Sequence, residues 1–91
     1  MHFTYVLRSE RDRRLYIGLT TNIARRIAQH NDGTTTSTKS RRPLTLLYYE
    51  AHCSPEDAKR RERYFKTAKG KATLRQILRD SLAKLAVEDS G

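Results

Sequence analysis

Glu62 is the only acidic residue between Asp57 and Asp80, and Lys59, Arg60, Arg61, Arg63, Lys66, Lys69 and Lys71 surround it along the chain. On a helix over residues 55–68, Ala58, Glu62 and Phe65 fall at i, i+4 and i+7, on one face. That face is expected to turn inward, which sets a carboxylate on the apolar stripe of a basic helix. An unpartnered buried charge is costly, so Glu62 must meet either an arginine or a metal ion. Upstream, Asn22, Arg26 and His30 recur at a spacing of four and form one polar row on a helix. The row borders the Ile23/Ile27 stripe, so Arg26 and His30 lie at the rim of the core and can reach into a cleft, whereas Arg25 and Gln29 face solvent. Tyr5 and Tyr16 are a second piece, although by themselves tyrosines in a small sheet read as packing residues. A carboxylate, a guanidinium, an imidazole and two phenols are the groups that hold cations and anions and move protons.

These residues need elements to position them. Residues 3–8 are rich in β-branched and aromatic side chains and read as a strand. After a charged turn at 9–14, residues 15–19 read as a second, pairing with the first as a hairpin. Tyr5 and Tyr16 share a face only if paired positions sum to an odd number, and the sequence leaves that register open. Gly18 suggests a close backbone approach. Thr20-Thr21-Asn22 is a cluster of helix-capping residues, and Ile23, Ala24, Ile27 and Ala28 at helical spacing predict a helix over 22–31, ended by Asp32-Gly33. The hydroxyl run Thr34 to Thr38, followed by Lys39, Arg41, Arg42 and Pro43, predicts a long mobile loop. Residues 44–51 predict a third strand.

Ser54-Pro55-Glu56-Asp57 opens a helix with a cap, a first-turn proline and two acids facing the dipole. Gly70 is expected to close that helix. A final helix carries Leu74, Ile77, Leu78, Leu82 and Leu85 on one stripe. The expected architecture is α+β: a small three-stranded, mostly antiparallel sheet flanked by helices in the order β-β-α-β-α-α. Residues 1–87 form one domain, and 88–91 are expected as a flexible tail.

The chain has 91 residues and a formal net charge of +9, with a pI of about 10.2. Such an imbalance favours nucleic acid as partner. Cys53 is the only cysteine, which excludes an intrachain disulfide and a cysteine-based zinc site and fits a reducing, cytoplasmic setting. No apolar run is long enough to span a membrane. The N-terminus enters a strand pattern at once and does not read as a signal peptide. No long coiled-coil stripe argues for an oligomer, so a monomer is expected.

Tyr5 on the first strand and the intact Tyr16-Ile17-Gly18 resemble the two halves of the GIY-YIG nuclease signature. The continuation through Asn22 and Ile23 to Arg26 and His30 resembles the family's helix motif, and Arg61-Glu62-Arg63-Tyr64-Phe65-Lys66 resembles its metal-binding glutamate with a basic flank. The likeness covers roughly residues 2–75 and is closest to the small stand-alone UPF0213/YhbQ-like members, with similarity to the catalytic domain of structure-specific nucleases. Two features depart from the pattern: Phe3-Thr4-Tyr5 keeps only the tyrosine of the first half, and no asparagine follows Asn31.

The resemblance implies an endonuclease that hydrolyses DNA phosphodiester bonds, with branched or nicked DNA among the candidate substrates. It implies that Glu62 ligates one Mg2+ or Mn2+, that Arg26 binds the scissile phosphate with a fork lysine lacks, and that Tyr5 or Tyr16 is the general base. Tyr5 partnered by His30 is the favoured pair, with Tyr16 positioning phosphate or water. Lys39, Arg41, Arg42, Arg61, Lys66 and Lys69 are expected to hold the DNA backbone, and Ile17, Gly18 and Asn22 to be structural. Two other readings stay open: a binding module of the same fold without turnover, and a structural protein in which Glu62 only pairs with Arg26.

Overall fold

In the computed structural model, residues 1–90 are described. Three strands, β1 (His2–Ser9), β2 (Leu15–Thr20) and β3 (Leu44–His52), form one antiparallel sheet in the order β2-β1-β3. Four helices accompany them: α1 (Ile23–Asn31), α2 (Pro55–Phe65), α3 (Ala68–Ile77) and α4 (Arg79–Ser90). The predicted α+β class and the order β-β-α-β-α-α are present, with the last helical stretch divided at Leu78.

Alternation along the central strand builds two cores. Val6 points to one face and packs with Ile17, Phe65, Leu74 and Leu78, which seats α2 and α3 there. Tyr5 and Leu7 point to the other and pack with Leu44, Leu46 and Ile27, which seats α1. Thr4, fully buried, donates from Oγ1 to the carbonyl of Ala58 at 2.9 Å and fixes α2 to the sheet. The helix starts follow capping chemistry: Asn22 accepts from the Arg25 N–H and Ser54 from the Glu56 N–H.

Three expectations are corrected. Residues 33–43 are not a mobile loop, because Thr36–Arg41 wind into a 3-10 helix. Ser9 Oγ and the Arg11 guanidinium bind the carbonyls of Arg41 and Ser40, and Arg41 pairs with Asp12. Gly70 does not close a helix: α2 stops at Phe65, Thr67 caps α3, and Gly70 lies inside α3. Residues 88–90, expected in a flexible tail, continue α4, where Asp89 meets the buried Arg8; Gly91 lies outside the described residues.

Candidate active site

The site forms where α1 crosses the sheet. Tyr5 stands opposite Gly18 and Tyr16 opposite Leu7, so the paired positions sum to an odd number and both phenols face α1. Their ring centroids are 6.4 Å apart. A Cβ on residue 18 would lie 2.5 Å from the Tyr5 hydroxyl, so only glycine lets the phenol lie across β2.

Above it, α1 supplies Arg26 and His30. His30 is fully buried, with Nε2 2.9 Å from Tyr5 Oη and Nδ1 2.7 Å from Thr38 Oγ1. Arg26 Nε–H donates to Tyr5 Oη at 3.3 Å, and Arg26 Nη1 donates to Gln29 at 3.1 Å. The Tyr16 ring meets His30 edge-on at 5.0 Å between centroids. Tyr5 is thus buried and held from two sides, while Tyr16 is only half-buried.

Thr38 is the member no sequence signal distinguishes. It sits in a run of five hydroxyl residues, yet it is fully buried and alone orients the far nitrogen of His30. Asn31 is a second unexpected support: its side-chain amide donates to and accepts from the backbone of Leu44, tying the end of α1 to β3.

Electrostatics follow from burial. Desolvation pushes the Tyr5 phenol above its ordinary range; the bond from Arg26 opposes this, and the charge of Glu62 adds to it. Burial, then the nearby Arg26 charge, lowers His30. Both groups are therefore uncharged at neutral pH. Because the folded protein binds a proton at His30 more weakly than the unfolded chain does, stability is full above pH ~6.5 and is lost as pH falls toward the depressed folded value. Melting temperatures recorded from pH 7 to 5 should fall in the wild type and fall less steeply in His30→Gln; parallel curves would disprove this linkage.

Glu62 is largely covered, with a quarter of its side chain exposed (25%), and its Oε2 lies 3.4 Å from Lys66 Nζ. Arg26 is bound to Tyr5 and Gln29, so the reading in which Glu62 merely pairs with Arg26 is overturned. No group of three or more His, Cys, Asp or Glu side chains is gathered into a metal site among the described residues. The donor chemistry fits a hard cation held by one carboxylate and completed by waters and substrate phosphates, the usual way Mg2+ is bound.

The expected DNA-binding cations are dispersed. Lys39 and Lys69 are exposed, Lys66 pairs with Glu62, and Arg42 Nε binds the Lys39 carbonyl. Arg41 is engaged by Asp12. Arg61 is turned away into a two-pronged pair with Glu50, at 2.8 and 3.0 Å, and its guanidinium stacks 4.4 Å from the Phe65 ring. Burial alone would raise Glu50, but the bonds from Arg61 and Tyr48 outweigh it and hold the carboxyl low. Arg61 is a packing residue of the α2–β3 contact.

The family profile of the GIY-YIG catalytic domain matches residues 1–75. The chain belongs to this family. Among relatives, a UPF0213 protein of Staphylococcus haemolyticus is 42% identical over 77 residues, covering 84% of this chain and 93% of the relative. Another from Bacillus licheniformis is 42% identical over 77 residues, covering 84% of this chain and 78% of the relative. The solution NMR structure of a UPF0213 protein from Bacillus halodurans superposes with a TM-score of 0.53 at 33% identity, over 84% of this chain and 83% of that one. The GIY-YIG match embraces the Tyr5, Arg26, His30 and Thr38 cluster and also Glu62, whereas α4 lies beyond it.

Proposed function

We propose that this GIY-YIG domain is a metal-dependent endonuclease that hydrolyses phosphodiester bonds in DNA. The observation that carries the reading is the continuous chain Arg26–Tyr5–His30–Thr38, a proton acceptor whose partner is itself oriented by a third group.

The raised Tyr5 is a phenol and not a phenolate, so it can accept a proton only by passing on its own. Neutral His30 receives it. With Nδ1–H donating to Thr38 Oγ1, the Nε2 lone pair faces the Tyr5 hydroxyl. As water attacks phosphorus, its proton moves to Tyr5 Oη, the Tyr5 proton moves to His30 Nε2, and the bond to the leaving oxygen breaks. Two of the five Arg26 donors are spent on Tyr5 and Gln29, and the others remain for the phosphate. Half-buried Tyr16 lies beside Tyr5 and His30, placed to position phosphate or water. Glu62 would hold one Mg2+ or Mn2+, which when bound neutralises charge on the phosphate and the leaving oxygen.

The test is cleavage of linear, nicked, flapped and branched DNAs with Mg2+ or Mn2+ against chelator. Tyr5→Phe should lower the rate by about 10²-fold, the usual scale of a lost general base, with DNA binding retained. Cleavage independent of divalent ions overturns the reading. Salt-sensitive binding without turnover on every substrate would identify a non-catalytic module. A larger loss from Tyr16→Phe than from Tyr5→Phe would reassign the base.

A further inference from the structure

A second feature lies across β2 from the catalytic cluster. β2 is an edge strand, and its side chains alternate between the two faces. Tyr16 and Gly18 face α1, while Leu15 and Ile17 face α3 and α4. On that side a groove of about 470 Å³ runs between the hairpin and α3, with a floor of Leu15, Ile17, Leu74 and Leu82. Its rim is wholly cationic: Arg13, Arg14, Lys71 and Arg75.

What sets the rim apart is that its cations line one groove over an apolar floor. Several cations elsewhere are matched, as Lys59 is by Glu56, Arg60 by Asp57, Arg41 by Asp12 and Arg61 by Glu50, while others, such as Arg25, Arg63 and Lys69, are exposed and pair with no carboxylate among the described residues. Arg14, Lys71 and Arg75 are exposed, and no carboxylate among the described residues pairs with them. Arg13 alone is engaged, by Asp89 at 3.1 Å. Leaving three like charges together across one groove is unfavourable unless a polyanion joins them. The apolar floor suits the less polar sugar and base faces, and the rim suits phosphate. Part of that floor, Leu82, comes from α4, outside the matched family domain.

We infer that this groove is the track for the nucleotides flanking the scissile bond, with their phosphates on Arg14, Lys71 and Arg75. The strand crosses the free edge of β2 from Tyr5 and Arg26 into the groove. The inference rests on the nuclease reading for its direction, but not for the binding itself. It also replaces the scattered cations that the sequence suggested with three that share one wall.

The test is fluorescence anisotropy of a labelled flapped DNA in chelator, titrated over a range of salt, so that binding is read without cleavage. The variant Arg14→Gln/Lys71→Gln/Arg75→Gln should bind more weakly and lower the slope of log affinity against log salt by about 2 to 3, close to one per lost phosphate contact. In the cleavage assay its KM should rise with kcat near wild type. The control Lys59→Gln/Arg60→Gln, on the exposed face of α2, should keep the wild-type slope. An unchanged slope in the triple variant, or an equal loss in the control, overturns the groove. Should the wild type bind with the expected slope difference yet never cleave, the nuclease reading fails and the groove stands.

Discussion

Glu62→Gln should reduce divalent-ion-dependent cleavage by about 10³-fold while leaving folding and DNA binding close to wild type. The rate effect follows from the several kcal/mol that a bound cation supplies to a charged transition state, at ~1.4 kcal/mol per decade. The stability side follows from what Glu62 touches. Its one ion pair is to Lys66, whose side chain is 56% exposed, and surface pairs of this kind contribute little. Glutamine keeps the shape and leaves Arg26 on Tyr5 and Gln29. Two measurements separate metal binding from a purely electrostatic role. The Glu62 charge adds to the upward push on Tyr5, so an electrostatic role would appear as a pH profile moved to lower values with Mn2+ affinity unchanged. The metal role appears as lost Mn2+ affinity in a calorimetric titration. Wild-type cleavage by the variant, or unchanged Mn2+ affinity, would sink the assignment.

The sequence carried the elements because their signals are local. Alternating β-branched and aromatic residues marked the strands, and Asn22 and Ser54 marked helix starts through hydrogen bonds they do make. It also set Arg26 and His30 in one row, since a spacing of four is a geometric fact on a helix, while Tyr5 joined them only through the family resemblance. What stayed hidden depends on contacts distant along the chain. The hairpin register, which decides whether the phenols share a face, is settled by packing on both sides of β1. Thr38 looked like one of several hydroxyls in a loop, and only the 3-10 turn and the burial of His30 single it out. Arg61 looked like one more cation on a basic ridge. Its partner Glu50 is eleven residues away on β3, and an i,i+4 rule cannot see it. The same blindness applied to the groove: Arg14 and Lys71 are far apart in sequence and meet only when α3 packs beside β2.

Gly70 gives the second large effect, and its sign is opposite to the one helix propensity predicts. In an exposed helix interior, glycine to alanine is worth about 1 kcal/mol of stabilisation. Gly70 is buried within α3, and a Cβ there would sit 1.7 Å from the Tyr64 carbonyl oxygen and 2.9 Å from the Phe65 Cα. These are backbone atoms at the end of α2, so no rotamer change relieves the overlap. The corner is tight because Thr67 serves both helices: its hydroxyl donates to the Tyr64 carbonyl at 2.7 Å and accepts from the Gly70 N–H at 3.0 Å. Gly70→Ala must push α3 away from α2, opening the core at Phe65 and Leu74, both almost wholly buried. A loss of roughly 3 kcal/mol or more is expected, at the upper end for overpacking. For a domain of this size that lowers the melting temperature by about 15 °C. Ala72→Gly, at an exposed position of the same helix, should cost only about 1 kcal/mol. If Gly70→Ala raised the melting temperature instead, the glycine would be a propensity defect and the α2–α3 corner would be looser than drawn. If it lowers it as expected, Gly70 is what lets α3 pack this closely against the end of α2, the helix that carries Glu62.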